Sequence, residues 1–438
     1  MSLKTPQKVR KLQRTLYAKA KGEPQYRFYL LYDKVYREDI LEFAYRKCKA
    51  NGGAPGVDGE SFSGIEAYGR ERWLGELAEE LRAKRYRAQP VRRCWIEKSG
   101  GGRRPLGIPT IRDRVVQMAV VLVLGPIFEA DLDPEQYGYR PQRSAQDAVR
   151  RVHGLINRGH REVVDADLSG YFDSIPHQQL LKSVARRISD RQILRLVKMW
   201  LKAPVQEPRK GSEGGQAGRR AEGTPQGSPL SPLLANVYMR RFLVAWKRLG
   251  LERKHQAHIV NYADDFVICC RTGAEEALQA AGAILSVMQV SLNPRKTRIS
   301  RLPEESFDFL GYTFGQCWNR KTGRAYLGTR VSRKALTEIR RKLRRATQPW
   351  RVNVEATELV AGLNRQLIGW AHYFQLGGVS RAYRVVEDYA RLRLRRWLRR
   401  KHRKRQLGKT RFPDEYLHET LGLTRLVGRT RDFPWAKA

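Results

Sequence analysis

The stretch Ile259-Val260-Asn261-Tyr262-Ala263-Asp264-Asp265-Phe266-Val267-Ile268-Cys269-Cys270 decides how the chain is read. Apolar runs flank the tetrapeptide Tyr262-Ala263-Asp264-Asp265, which predicts a β-hairpin with the acids at its turn. Adjacent carboxylates repel each other, and burying either one unpaired is costly. Either a cation holds them or they stand at an exposed tip. A bare Asp-Asp suits an acidic surface turn as well as a site, so the reading depends on a third acid.

That acid lies upstream, in Glu162-Val163-Val164-Asp165-Ala166-Asp167-Leu168-Ser169-Gly170-Tyr171-Phe172-Asp173. Strand alternation puts Glu162, Val164, Ala166 and Leu168 on one face, with Val163, Asp165 and Asp167 on the other. Ser169-Gly170 breaks the strand, so Asp167 stands at its end, where a side chain can point into a cleft. Joined by Asp264 and Asp265, it would complete an oxygen-rich site. Such a site suits Mg²⁺, which is held by a few carboxylates plus substrate phosphates. Two ions roughly 3.5–4 Å apart would clamp the attacking and leaving oxygens of a nucleotidyl transfer.

These motifs resemble the group II intron reverse transcriptases, also called intron-encoded maturases, and the resemblance runs from about Tyr45 to the C-terminus. It implies a right-hand polymerase: an α/β fingers-palm reverse transcriptase followed by an all-α thumb and maturase region. Asp167, Asp264 and Asp265 match the catalytic aspartates. By the same resemblance Asp167, Asp264 and one residue carbonyl, that of Leu168, would bind the two Mg²⁺ ions, with Asp265 assisting. Phe172, five residues after Asp167, matches the aromatic that lies against the sugar of the incoming nucleotide and collides with a 2′-OH. Asp165 has no catalytic counterpart and is read as structural or supporting.

Other segments add to the site. Cys94 to Lys98 reads as a strand, Ser99 to Gly102 as a turn and Arg103 to Pro109 as the returning arm, so Lys98 and Arg104 can lay cations over a triphosphate. The family presents Lys and Arg there, although Glu97 stands where relatives commonly have proline. Thr224-Pro225-Gln226-Gly227-Ser228-Pro229 resembles the family's Pro-Gln-Gly motif, which implies that Gln226 touches the incoming nucleotide. Lys296, in Asn293-Pro294-Arg295-Lys296-Thr297, matches a lysine near the triphosphate that can protonate the leaving pyrophosphate. Arg140, in Tyr137-Gly138-Tyr139-Arg140-Pro141, either contacts template or braces the fingers. The glycine-rich Asn51 to Gly59 either cradles phosphate or is a plain loop.

Composition sets the partners. The 438 residues carry 85 Lys plus Arg against 44 Asp plus Glu, a net charge of +41. Such a surplus opposes compaction unless a polyanion neutralises it, and nucleic acid binding should weaken as salt rises. The expected partners are an intron RNA template, a DNA primer or target and dNTPs. The apolar run Val115–Leu124 is well short of the ~20 residues that span a bilayer, so no membrane is expected. Five scattered cysteines fit a reducing cytoplasm and neither a disulfide framework nor a zinc site. Gly408-Lys409-Thr410 lacks the first glycine of a phosphate loop, since Arg403 stands there.

The organisation expected is an N-terminal extension with the start of the fingers (1–90), a fingers-palm domain (91–328), a helical thumb and maturase domain (329–410) and a short basic tail (411–438). Residues 331–438 hold 27 Lys plus Arg against 9 Asp plus Glu. Helical periodicity recurs over Ala335–Ala346, Glu355–Tyr373 and Ser380–Arg400. The dense run Arg391–Arg405 suggests a grip on RNA phosphates through Arg391, Arg395, Arg399 and Lys401. Without a His-rich stretch or cysteine pairs for a zinc nuclease, second-strand DNA cleavage is not expected. The function implied is RNA-directed DNA synthesis with assistance to splicing and mobility of the parent intron. The alternatives are a non-catalytic RNA-binding splicing maturase, or a reverse transcriptase recruited to host defence or DNA repair.

Overall fold

The computed structural model describes residues 3–97, 103–207, 222–319, 322–403 and 408–427. Lys98 and most of the Gly- and Arg-rich segment after Gln206 lie outside the described residues.

Its centre is a four-stranded antiparallel sheet. Ten strands are described: β1 (Val91–Glu97), β2 (Arg103–Ile108), β3 (Glu162–Asp167), β4 (Val205–Gln206), β5 (Ala257–Tyr262), β6 (Asp265–Cys270), β7 (Arg298–Arg301), β8 (Phe307–Phe309), β9 (Tyr312–Trp318) and β10 (Ala325–Val331). The central sheet runs β5-β6-β3-β7. Alternation along β3 and β6 sends their two faces into two different cores. Val164, Ala166, Phe266, Ile268 and Cys270 join one core with the N-terminal helices. Val163, Val267 and Cys269 join the other, which holds β8, β9 and the C-terminal helices. Both faces are covered, so these strands carry apolar residues almost throughout.

Against the first face packs the helix Ile111–Glu129, opened by Thr110, whose hydroxyl accepts from the Asp113 N–H at 3.1 Å. Gly125-Pro126 would be expected to stop this helix near Leu124. It continues to Glu129 instead. A proline removes the N–H that would bond the carbonyl four residues back. Here Gln13 Nε2 donates to that carbonyl, Leu122 O, at 3.0 Å, so the proline leaves no orphaned acceptor.

On the second face sit the helix Ala145–Asn157, with a full capping box between Ser144 and Asp147, and the helices Arg333–Ala346, Ala356–Tyr373 and Ser380–Lys401. Phe307 to Phe314 reads in sequence as one alternating strand, but it is a tight hairpin. Leu310 (φ 51°) and Gly311 (φ 80°) form a two-residue turn that pairs Phe309 with Tyr312. Positive φ at both central positions matches the right-handed twist of the strands. Hence the apolar alternation survives the reversal. Tyr373 ties this hairpin to the C-terminal helices: its hydroxyl donates to Leu310 O at 3.1 Å, and its own carbonyl accepts from the Tyr312 hydroxyl at 2.6 Å.

Candidate active site

Three carboxylates meet at one end of the central sheet. Asp167 ends β3, Asp265 begins β6, and the two are Cα partners in the antiparallel ladder. That pairing sets their Cα atoms roughly 4.5–5.5 Å apart. Asp265 also pairs with Tyr262, so the β5–β6 connection is the two-residue turn Ala263-Asp264. Asp264 therefore stands at the tip beside the other two. Residues opposite each other on neighbouring strands share a face, so Asp165, Asp167 and Asp265 line one side of the sheet above the second core.

The turn is held from outside the hairpin. Ala263 has φ 60°, a conformation usually left to glycine. Asn261 Nδ2 donates to Ala263 O at 2.9 Å, and the Asn261 backbone pairs with the loop 135–137 in both directions. Gly138 packs so closely that a Cβ there would stand 2.5 Å from the Ala263 nitrogen. Only glycine permits this approach of two backbones.

The acids are crowded. Asp265 is exposed at the start of β6, with Asp264, Asp167 and Asp165 around it. Desolvation first, then the charges of Asp264, Asp167 and Asp165, push it up to about 6, with Lys296 opposing. Asp165 is also raised by desolvation, against the pull of Arg298 Nε at 3.3 Å. Lys296 Nζ lies 3.0 Å from Asp167 Oδ2, and Asn293 Nδ2 lies 3.4 Å from the same oxygen. Beside them, Ser169 N–H bonds Ser291 O and Asn293 N–H bonds Asp167 O. These two bonds flank the Leu168–Leu292 bridge, making it a non-hydrogen-bonded pair and leaving the Leu168 carbonyl out of that ladder.

The donor set is all oxygen, as a hard divalent cation requires. Among the described residues no group of three or more His, Cys, Asp or Glu is arranged so that it could hold a metal ion by itself. Mg²⁺ takes only a few protein carboxylates and completes its shell with water and substrate phosphate.

Around the acids stand other expected residues. Gln226 Oε1 accepts from Arg104 Nε, and Gln226 Nε2 donates to Asp173 Oδ2 at 3.2 Å. The Gln226 carbonyl accepts from the Gly107 N–H at 2.7 Å. Thus Gln226 links β2 to the segment after Asp167. Phe172 is buried, and its carbonyl accepts from the Thr224 N–H at 2.6 Å. Sequence reasoning gives no signal for Asp173 or Asn293, since an acid after an aromatic pair and an asparagine before proline are common surface patterns.

Arg140 proves to be a brace. Its guanidinium binds Glu129 and donates to the carbonyls of Asp133 and Gln136 at 2.6 Å each, which buries it in the loop. The cations expected to grip RNA from the last long helix also turn inward. Arg391 and Arg395 converge on Asp414, and Arg395 Nε donates to Phe412 O at 2.8 Å. Lys401 caps Val354 O at 2.9 Å, and Arg399 is half-buried. The chain returns over this helix after Lys401, so Asp414 and the Phe412 carbonyl occupy Arg391 and Arg395, while Lys401 is held by the segment before the helix. Arg381, Arg384, Arg396 and Arg400 face solvent instead.

A sheet with three acids at one end, a basic hairpin beside it and helices behind is the arrangement of the reverse transcriptase fold. Residues 96–314 match the family model described as reverse transcriptase (RNA-dependent DNA polymerase). Residues 336–413 match the group II intron, maturase-specific domain. The chain is 33% identical to Protein YkfC of Escherichia coli strain K12 over 342 residues, 69% of this chain and 87% of that one. It is 35% identical over 215 residues to the group II intron-encoded protein LtrA of Lactococcus lactis subsp. cremoris, covering 48% of this chain and 34% of LtrA. A partial Cas6-RT-Cas1–Cas2 complex is a solved structural neighbour at 23% identity and a TM-score of 0.34, over 59% of this chain and 42% of that one. The chain belongs to the group II intron reverse transcriptase and maturase family. It spans most of YkfC but about a third of LtrA. No described helix is long and apolar enough to cross a membrane.

Proposed function

We propose that the protein is an RNA-directed DNA polymerase that also binds group II intron RNA to assist splicing and mobility. The observation that carries the reading is the ladder pairing of Asp167 with Asp265 beside the Asp264 turn. Asp167, Asp264 and the Leu168 carbonyl would hold two Mg²⁺ ions, with Asp265 assisting. Bound there, the metal would lower the barrier by neutralising charge on the attacking and leaving oxygens.

The chain's own residues do the rest. Arg104, bonded to Gln226, offers a guanidinium to the triphosphate. Gln226 sits in a turn fixed by Ser231 Oγ donating to Pro225 O at 2.8 Å and Ser228 Oγ donating to Gln117 Oε1 at 2.7 Å. Little side-chain freedom is left for it to lose on binding a nucleotide. Lys296 Nζ lies 3.0 Å from Asp167 Oδ2, and it would give a proton to the leaving pyrophosphate. Exposed arginines on Ser380–Lys401 and exposed cations on Arg333–Ala346 supply the phosphate-binding face for intron RNA.

Primer extension on poly(rA)/oligo(dT) with Mg²⁺ tests the reading. The full chain should extend the primer, and Asp264→Ala should abolish extension while RNA binding persists. Extension surviving in Asp264→Ala would refute the metal assignment. A wild-type chain that binds RNA without extending would leave a maturase alone.

A further inference from the structure

We infer that Tyr139 is a specificity-determining residue for the incoming nucleotide, its ring forming the aromatic wall in front of Phe172 against which the sugar packs. The inference rests on the polymerase reading above and gives that site a second selectivity element.

The first observation is exposure. Phe172 is 5% exposed and Tyr139 is 57% exposed. The Phe172 ring is flanked by Tyr171, with centroids 5.8 Å apart, and by Tyr139, at 6.3 Å and 82°. A sugar can be discriminated only by surface it touches. At this place most of the accessible aromatic surface belongs to Tyr139, which stands edge-to-face on the buried phenylalanine.

The second observation is strain. Tyr139 has φ 56°, a left-handed conformation that a bulky side chain rarely adopts. Such a conformation persists only where the surroundings over-determine it, and it collects at functional sites. Both neighbours are locked here. Gly138 lies against the Ala263 backbone, and its carbonyl accepts from Asn236 Nδ2 at 2.7 Å. On the other side the Arg140 guanidinium is clamped by Glu129 and two carbonyls. The loop that carries Tyr139 is thus bolted to the turn that carries Asp264.

The third observation is electrostatic position. Desolvation, and next the charge of Asp264, raise the Tyr139 hydroxyl above its ordinary range, while Arg104 opposes. The hydroxyl thus feels both the acids that would hold metal and the arginine that would hold the triphosphate, as expected of a ring beside Phe172 in a loop packed on the Asp264 turn. The sugar of a bound nucleotide must cross the interval between acids and arginine. A ribose would press its 2′-hydroxyl onto a ring face with no matching acceptor, whereas deoxyribose presents only C–H groups.

The test is single-nucleotide incorporation by the full chain on an RNA template with a DNA primer and Mg²⁺, comparing kcat/KM for dATP and ATP. Tyr139→Ala should lower the deoxy-to-ribo ratio several-fold, up to about tenfold, the range an edge-to-face aromatic contact is worth. The change should appear mainly in KM. Tyr139→Phe should keep the ratio, because the ring and not the hydroxyl makes the wall. Tyr139→Leu, which retains bulk, should behave like alanine and decides the matter if the alanine variant does not fold. An unchanged ratio in Tyr139→Leu or Tyr139→Ala would overturn the inference, as would equal loss in Tyr139→Phe. A wild-type chain that incorporates neither nucleotide would overturn the polymerase reading first, and the inference with it.

Discussion

Asp265 shows how a site residue can work against the fold that holds it. Its carboxyl is raised to about 6, chiefly by desolvation and by Asp264, while the same group in an unfolded chain titrates near ~3.9. A raised carboxylate binds protons more readily folded than unfolded, so its destabilising effect is complete above pH 6 and is relieved as pH falls toward 4. Asp265→Asn should therefore raise the melting midpoint only modestly near neutral pH in EDTA, because solvent screens this exposed group, and the gain should vanish as the pH is lowered through that window. Mg²⁺ should raise the midpoint of the wild type more than that of the variant. Calorimetry across pH checks both, and a variant less stable than wild type at neutral pH would contradict them. Primer extension should decline below about pH 6, where protons compete with metal for this carboxylate.

At the scale of elements, the fingers hairpin and the Pro-Gln-Gly turn depend on one glycine. Gly227 has φ 115°, and a Cβ there would stand 2.5 Å from Gly107 O on β2. Gln226 O and the Gly107 N–H bond across the same junction. Gly227→Ala must push the turn off β2 and take Gln226 away from Arg104. KM for dNTPs should rise roughly tenfold or more, in line with the strain of a side chain at such a φ, while RNA affinity stays near wild type. Steady-state incorporation alongside filter binding separates the two. Equal loss in both would point to misfolding instead. The β8–β9 hairpin teaches the complementary lesson: its two-residue turn is invisible to alternation, because Phe307, Phe309, Tyr312 and Phe314 remain on one face after the reversal.

Across the whole molecule, the second core runs from Tyr137 to Leu426, so the maturase helices and one face of the central sheet share a single interior. The positive charge is distributed unevenly by function. Arg140, Arg391, Arg395 and Lys401 satisfy carboxylates and carbonyls of the chain itself, whereas Arg396 and Arg400 face solvent. RNA affinity should fall linearly on a log–log plot against salt. Replacing both Arg396 and Arg400 by Gln should reduce that slope by about one for each RNA phosphate they no longer neutralise. Replacing Arg391 or Arg395 should lower thermal stability with little change of slope. Titrations at several salt concentrations would reverse this assignment if the slopes changed the other way.

Read without its fold, the chain already dictates the acids, the faces of the strand that bears Asp167 and the approximate extent of several helices. Period-two alternation decides which side of β3 bears Asp167, and the capping pattern Thr110 to Asp113 marks where a helix opens; both are local properties of the chain. The family's motifs likewise name Asp264, Phe172 and Gln226 from order and spacing. Packing in three dimensions was needed to separate the cations that are free from those spent inside, because a guanidinium's partner depends on segments distant in sequence, as Asp414 is from Arg391. Packing also set Tyr139 in front of Phe172, since that placement follows from Gly138 meeting Ala263 across the fold. Local propensity orders residues along an element, but contacts between remote elements choose which surface a substrate can reach.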